Sequence, residues 1–203
     1  MVTGLVERGV QKCARYWPAE LFDHDLKIGD KSYGDVNVSV QAGYRRDGYI
    51  TSDLLVKVGT EERSVKHFWF NPWPDHGVPA KHEAKNVTMM LEACRKWSND
   101  PNHPWTVHCS AGIGRTGTFI GIDHGMHLMK RDGRCCVLDI INKLRVNRGG
   151  MVQHYEQMDF VLNALLDYAE TNNRQRRAQL AQLANKKQTG GGAGSNGPNA
   201  VLT

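Results

Sequence analysis

The chain has 203 residues and a hydrophobic fraction of 40%, which suits one domain with a core plus a tail. Its apolar runs are too short to cross a bilayer and residues 1–11 contain no secretory signal, so the sequence predicts a soluble, cytoplasmic protein without a membrane span. The net charge of +5 does not indicate nucleic-acid binding, because residues 171–203 hold five of the 26 basic residues and none of the 21 acidic ones, which leaves 21 of each in residues 1–170.

The first part of the chain is predicted to be mainly β-structure. Residues 5–15 have a short helical or loop character. Between residues 36 and 58, β-branched residues alternate with polar ones and turn residues interrupt them, which predicts strands joined by turns. Residues 64–70 predict another strand, which leads into a loop that begins at Trp73.

The second part is predicted to be mainly helical, around one buried strand at residues 105–108. Apolar residues recur at helical spacing. The predicted helices are 80–98, 117–130, 136–146 and 153–172. Residues 171–203 are predicted to be a basic helix extension with a disordered glycine-rich tail after residue 190, so the domain boundary falls near residue 170. The basic cluster at residues 174–177 leaves nuclear import as an alternative to a plain solvated helix end.

The five cysteines are odd in number and lack the spacing of a metal ribbon, and without a signal peptide we expect them to be reduced thiols. We also expect no bound metal and no cofactor. His124 and His127 lie three positions apart on a predicted helix. No carboxylate or cysteine is arranged around them, so ordinary packing is favoured over metal binding.

The segment at residues 107–117, VHCSAGIGRTG, combines a nucleophile with an anion cradle. A strand delivers Cys109 to a tight loop, and inward N–H groups with a helix N-terminus favour an anion there. The same dipoles favour thiolate over thiol. Arg115 offers a planar fork for two phosphate oxygens, and Thr116 can donate a hydrogen bond to the sulfur.

These residues resemble the Cys-x5-Arg-Thr signature of the protein-tyrosine phosphatases, in the extended form of the tyrosine-specific branch. Three other segments are similar to family segments and follow the family's order. They are Glu7-Arg8-Gly9 with Lys12-Cys13 and Tyr16-Trp17-Pro18, the acid loop Trp73-Pro74-Asp75-His76-Gly77-Val78-Pro79, and the glutamine loop with Gln153 and Gln157 after Arg148. The resemblance runs from residue 1 to about residue 170. The family's preceding helices, strands and tyrosine-bearing loop have no counterpart, so we expect an N-terminally truncated domain.

The resemblance implies an α/β fold, with a mixed twisted sheet flanked by helices and the cradle at a strand's C-terminal end. It also implies hydrolysis of phosphotyrosine in proteins through a cysteinyl-phosphate. In that reaction Cys109 attacks phosphorus and Arg115 holds the equatorial oxygens. Asp75 protonates the leaving oxygen and then activates a water that Gln153 positions. The other implied site residues are Ser110, Ala111, Gly112, Ile113, Gly114 and Thr116, with His108, Glu7, Arg145, Gln157 and Trp73 in support.

Several alternatives stay open at this point. Cys109 could be a buried structural thiol, residues 73–79 an ordinary turn, and Glu7 or Arg145 a surface charge. A dual-specificity or phosphoinositide phosphatase is disfavoured because residues 110–114 contain no lysine. A phosphotyrosine-binding pseudophosphatase, or a fragment that folds poorly, is favoured by the missing pocket wall and opposed by the intact chemical residues. We expect phosphotyrosine-containing proteins as partners and no nucleic acid; the oligomeric state stays open.

Overall fold

The computed structural model describes residues 1–18, 20–22, 25–27, 29–74, 77–98 and 100–189. The predicted acid Asp75 and the predicted disordered tail after residue 190 lie outside these residues. In chain order the strands are β1 (Val6–Glu7), β2 (Val10–Gln11), β3 (Glu20–Phe22), β4 (Asp25–Lys27), β5 (Asp30–Tyr33), β6 (Val36–Arg46), β7 (Tyr49–Val58) and β8 (Glu61–Trp69). A 3₁₀ turn (Lys81–Glu83) precedes the helices α1 (Ala84–Trp97), α2 (Gly114–Asp132), α3 (Val137–Asn147) and α4 (Tyr155–Thr189).

Strands β5 to β8 form a four-stranded antiparallel sheet in sequence order, and β1–β2 and β3–β4 are separate antiparallel pairs. Strands β6 and β7 pair along almost their whole length, with one irregularity between Val40 and Ala42. Successive side chains of a strand point to opposite faces of the sheet, so one face of this sheet can be buried while the other is exposed. The buried face contributes Val38, Val40, Ile50 and Leu54 to a cluster with Trp17 and Trp69.

A larger core lies among the helices and is centred on α2. Ile122 and Met126 of α2 pack with Leu91 of α1 and Leu165 of α4, and all four are almost fully buried. Gly117 allows the closest approach, since a Cβ there would lie 2.5 Å from the backbone nitrogen of Val152. A backbone atom cannot move aside as a side chain can, so α2 reaches the segment before α4 only with glycine at this position.

Residues 1–3 connect the end of β8 to the segment that leads into the cradle. The Phe70 N–H donates to the Met1 carbonyl at 2.9 Å, and the Val2 N–H donates to the His108 carbonyl at 2.9 Å. This placement brings Thr3 and the β1–β2 hairpin against the beginning of α2, as the contacts of the site show below.

The α/β fold class is confirmed, but several predicted elements differ in detail. Residues 5–15 contain the hairpin β1–β2 rather than the predicted short helix or loop, because a two-residue turn between the strands closes it. Residues 105–108, predicted as a strand, form no ladder among the described residues; the hydrogen bond there comes from Val2 of the short 1–3 segment to the His108 carbonyl. Helix α2 begins at Gly114 rather than Gly117, inside the loop. Helix α4 continues to Thr189 rather than ending near 172.

The chain divides into two units, Met1–Tyr168 and Ala169–Thr203. The first unit contains the sheet, the cores and the candidate site. In the second unit, residues 169–189 are helical, and Arg174 is exposed with a 4.0 Å ion pair to Glu170 four positions earlier. No helix within the described ranges is long and apolar enough to span a membrane.

Candidate active site

The cradle at residues 109–114 begins where the extended segment ends and closes at the first turn of α2. Gly112 has a φ of 73°, a left-handed conformation that turns its N–H toward the sulfur of Cys109 at 3.2 Å. Ser110 and Ala111 are exposed, whereas Gly114 is buried. The exposed loop residues therefore lie beside the N-terminus of α2, where N–H groups and the helix dipole favour an anion.

The Cys109 side chain is buried at 8% exposure, yet its environment favours the thiolate. Burial raises the pKa of the thiol, but hydrogen bonds to the sulfur outweigh burial, and the net pKa lies below the ordinary value for cysteine. The donors are the hydroxyl and N–H groups of Thr116 and the N–H groups of Gly112 and Ile113. The cradle therefore stabilises negative charge on sulfur through these hydrogen bonds.

The Thr116 hydroxyl is a loosely placed donor. Its oxygen is buried and makes no hydrogen bond of standard geometry among the described residues. It nevertheless lowers the pKa of the Cys109 thiol, and the sulfur is the group that its proton can approach. We take the sulfur as its partner, because a buried hydroxyl without a partner is costly and ionisation of the thiol would complete this bond.

Arg115 is held by the hairpin β1–β2. Its Nη1 and Nη2 donate to Glu7 Oε1 and Oε2 at 2.5 and 2.8 Å, a bidentate pair in which both side chains are largely buried. Nη1 also donates to the hydroxyl of Thr3 at 3.0 Å. Glu7 accepts two more hydrogen bonds, from the Thr3 hydroxyl at 3.1 Å and the Gly4 N–H at 2.9 Å. This network fixes the plane of the guanidinium beside the cradle.

The two predicted glutamines lie against the first residue of α2. A Cβ on Gly114 would be 2.9 Å from Gln157 Nε2 and 3.4 Å from Gln153 Oε1. Gln157 is buried at 5% exposure, and its Oε1 accepts from the Gln153 N–H at 2.8 Å. Gln153 itself is exposed. The two glutamines therefore have different roles. Gln157 holds the backbone before α4, whereas Gln153 presents its amide to solvent at the edge of the cradle.

Val152, just before Gln153, is a strained link between the cradle and α4. Its φ is 58°, which a β-branched residue adopts only under constraint, at a cost of about 1–3 kcal/mol. Its N–H donates to the Ile113 carbonyl at 3.2 Å, and its carbonyl accepts from Arg145 Nη2 at 2.8 Å. Arg145 also donates to the Met151 carbonyl at 3.0 Å. Arg145 therefore supports the cradle through the backbone of residues 151–152.

His108 faces away from the sulfur. Its Nδ1 lies 3.0 Å from the Cys109 carbonyl oxygen, and its Nε2 lies 2.7 Å from the Tyr16 hydroxyl. Burial lowers the pKa of His108, the hydrogen bond to Cys109 raises it, and the net pKa lies below the ordinary value. A neutral ring with both nitrogens engaged orients the Cys109 peptide and leaves no nitrogen to act as a base toward the thiol.

The loop that contains Asp75 is anchored by Trp73. This side chain is 2% exposed, packs on Phe70 and Phe160, and donates from Nε1 to the Gly77 carbonyl at 3.3 Å. The hydrogen bond spans the residues on both sides of Asp75, which itself lies outside the described residues. A ring fixed in the core and a carbonyl four residues later are typical of a loop attached at its ends.

Thr3, Tyr16 and Arg148 contact the site but were not predicted as part of it. Arg148 donates to the Ala111 carbonyl at 3.3 Å, behind the loop. Tyr16 and Arg148 lie inside segments quoted for the resemblance, so that signal was available. Thr3 had none, because a threonine near the beginning of a chain has no distinguishing pattern. In the described part of the chain, no group of three or more histidine, cysteine or acidic residues is arranged to hold a metal ion.

Comparison with known proteins matches residues 1–167 to the family model described as protein-tyrosine phosphatase. The chain is 36% identical over 173 residues to receptor-type tyrosine-protein phosphatase alpha of Homo sapiens, which covers 84% of the chain and 20% of that protein. It is 39% identical over 165 residues to receptor-type tyrosine-protein phosphatase R of Mus musculus, covering 81% and 24%. It is 36% identical over 171 residues to tyrosine-protein phosphatase non-receptor type 7 of Homo sapiens, covering 83% and 44%. The chain thus spans less than half the length of these relatives.

Proposed function

The chain belongs to the protein-tyrosine phosphatase family, and on that premise we propose that it hydrolyses phosphotyrosine in proteins through a cysteinyl-phosphate intermediate. The observation that carries this proposal is the buried Cys109 thiol, whose pKa is lowered by hydrogen bonds from the loop. Arg115, oriented by Glu7, follows directly after this loop. The proposed catalytic unit is residues 1–170, followed by the basic extension at residues 171–203.

The reaction divides into two displacements at phosphorus. In the first, the Cys109 thiolate forms a bond to phosphorus while the bond to the tyrosine oxygen breaks, and Asp75 gives that oxygen its proton. In the second, Asp75 removes a proton from a water that the exposed amide of Gln153 positions, and the new oxygen displaces sulfur. Arg115 and the loop N–H groups neutralise the equatorial oxygens in both steps, which is electrostatic stabilisation of the transition state.

The composition of the cradle supports a singly phosphorylated protein substrate. Residues 110–114 contain no lysine, whereas a site for a highly anionic lipid headgroup would profit from added positive charge. The reaction also needs a reduced thiol, because oxidation of a thiolate removes the nucleophile. We therefore propose that the domain works in the reducing environment of the cytoplasm.

The function is tested by assaying the full 203-residue chain on an aryl phosphate, a phosphotyrosine peptide and the same peptide with phosphoserine. We expect phosphate release from the first two, and rapid quenching should trap a phosphate adduct on the peptide that carries Cys109. A chain that is folded by circular dichroism, binds the phosphotyrosine peptide and releases no phosphate would instead be a phosphotyrosine-binding module. Equal rates on both peptides would indicate a dual-specificity enzyme.

Replacing Asp75 by asparagine is expected to lower kcat on the phosphotyrosine peptide by ~10²-fold or more and to leave KM nearly unchanged. Tyrosine is a poor leaving group when it departs without a proton, whereas an activated aryl oxide departs more readily. The loss should therefore be smaller on an activated aryl phosphate, and the basic limb of the kcat–pH profile should disappear. Asp100→Asn, at an exposed carboxylate on another loop, is the matched control. Unchanged turnover in the Asp75 variant would remove Asp75 from the mechanism.

A further inference from the structure

A buried histidine that no catalytic step uses is linked to the nucleophile through two intervening residues. His67 of β8 is 8% exposed and packs against Trp17 with the rings tilted at 43° and their centroids 4.5 Å apart. Its Nε2 lies 3.1 Å from the hydroxyl of Tyr16, and the two rings meet edge to face. Because Tyr16 also contacts His108, the three side chains form a continuous path that ends at the Cys109 carbonyl.

The Cys109 carbonyl at the end of this path determines which group donates in each of its hydrogen bonds. A carbonyl oxygen only accepts, so His108 Nδ1 carries the proton that it donates to Cys109. In the neutral ring, Nε2 then has only a lone pair and accepts from Tyr16 O–H. The Tyr16 hydroxyl donates its single proton to His108. Its contact with His67 is therefore a hydrogen bond only if His67 Nε2–H is the donor.

The environment of His67 keeps the ring neutral. Burial is the largest cause and lowers the pKa of His67 to about 3. Burial also raises the pKa of Tyr16, so its hydroxyl keeps its proton. The other acceptor near that hydroxyl is the Met1 sulfur at 3.7 Å, a weak acceptor compared with the His108 nitrogen at 2.7 Å.

We infer that His67 is a positioning residue for the nucleophile: by donating to Tyr16 it fixes the His108 tautomer that holds the Cys109 peptide in the cradle. The opposite tautomer would point a nitrogen lone pair at the Cys109 carbonyl oxygen. Repulsion between the two would displace the peptide and lengthen the hydrogen bonds from the loop N–H groups to the sulfur. The inference rests on the proposed function only in taking Cys109 as the nucleophile.

The test measures the thiol itself and therefore does not depend on turnover. In the full chain, the alkylation rate of Cys109 by iodoacetamide is followed against pH through the peptide that contains it. His67→Phe keeps an aromatic ring but removes the donor, and we expect the pKa of the Cys109 thiol to rise by about one unit, a roughly tenfold loss of thiolate on the acid side. His67→Gln keeps a side-chain N–H donor and should retain most of the native value.

Tyr16→Phe breaks the same path of hydrogen bonds at a second residue. It should raise the thiol pKa as His67→Phe does, and the double variant should show no further rise, because both changes break one chain of hydrogen bonds. An unchanged thiol pKa in folded His67→Phe overturns the inference, as do equal shifts in the Phe and Gln variants, which would indicate a packing role only. If His67→Phe does not fold, a native pKa in Tyr16→Phe overturns it equally. A chain that hydrolyses nothing yet shows these shifts refutes the proposed function and leaves the inference standing.

Discussion

Replacing Cys109 by serine is expected to lower kcat on a phosphotyrosine peptide by ~10⁴-fold or more, the scale of loss when a covalent nucleophile is removed. The cradle lowers the pKa of a thiol, but a serine hydroxyl ionises far above neutral pH and stays protonated there. His108 does not compensate as a base, because both of its nitrogens are engaged, by the Cys109 carbonyl and by Tyr16. The measurement is steady-state phosphate release by the full chain, with rapid quenching for the intermediate.

Binding provides the internal check on this variant. The loop N–H groups and Arg115 remain, so the affinity for the phosphotyrosine peptide should stay close to that of the unaltered chain. Cys136→Ser is the matched control, since this thiol is exposed and directly precedes α3, outside the cradle at residues 109–114. Comparable losses in both variants, or native turnover in the Cys109 variant, would show that the nucleophile lies elsewhere.

Replacing Arg115 by lysine is expected to lower kcat by about 10³-fold, comparable with the loss of a charge-stabilising arginine in other phosphoryl transfers. The guanidinium meets Glu7 through two parallel hydrogen bonds and adds a third to Thr3. A lysine ammonium is a point charge and cannot keep a bidentate pair with Glu7 while it also binds phosphate oxygens. The loss should fall on kcat more than on KM, because the charge at phosphorus grows in the transition state.

Arg148→Lys separates this effect from a general loss of positive charge at the loop. Arg148 contacts the same loop through the Ala111 carbonyl but is exposed. We expect it to change kcat by no more than a few-fold, as is usual for an exposed contact.

Glu7→Gln tests the same ion pair by changing the partner of Arg115. It keeps the shape of the Glu7 side chain but leaves a largely buried guanidinium without its counter-charge. If Arg115→Lys and Arg148→Lys are equally mild, Arg115 is not the phosphate clamp.

The cradle was predictable because its information is local. Eight consecutive residues, from Cys109 to Thr116, contain the nucleophile, the loop glycines, the arginine and the hydroxyl, so no knowledge of the fold was needed to recognise them. The beginning of α2 was missed by three residues for a related reason. Glycines at 112, 114 and 117 favour a loop, yet the backbone is helical from Gly114, and Gly117 lies inside the helix where a Cβ would meet the Val152 nitrogen.

The remainder of the site was not predictable because it depends on long-range contacts. Glu7 was proposed as a brace, but its hydrogen bonds to Thr3 and Gly4 require the hairpin that the sequence did not predict. The link from His67 through Tyr16 to His108 joins three segments that no periodicity relates. The predicted strand at 105–108 was wrong although its residues are apolar. A ladder needs a longer neighbouring strand than residues 1–3 provide.

The ion pair between Glu7 and Arg115 also determines when the site can exist. The two residues are 108 positions apart, and Tyr16 and His108 are 92 apart. During synthesis the hairpin emerges long before its partners, and closing loops of this length is slow and entropically costly. Until it docks, Arg115 lacks the bidentate partner that orients its guanidinium beside the cradle. The donors to the Cys109 sulfur come from the loop itself, so the cradle can form before the arginine is oriented, and docking of the hairpin is the step that completes the site.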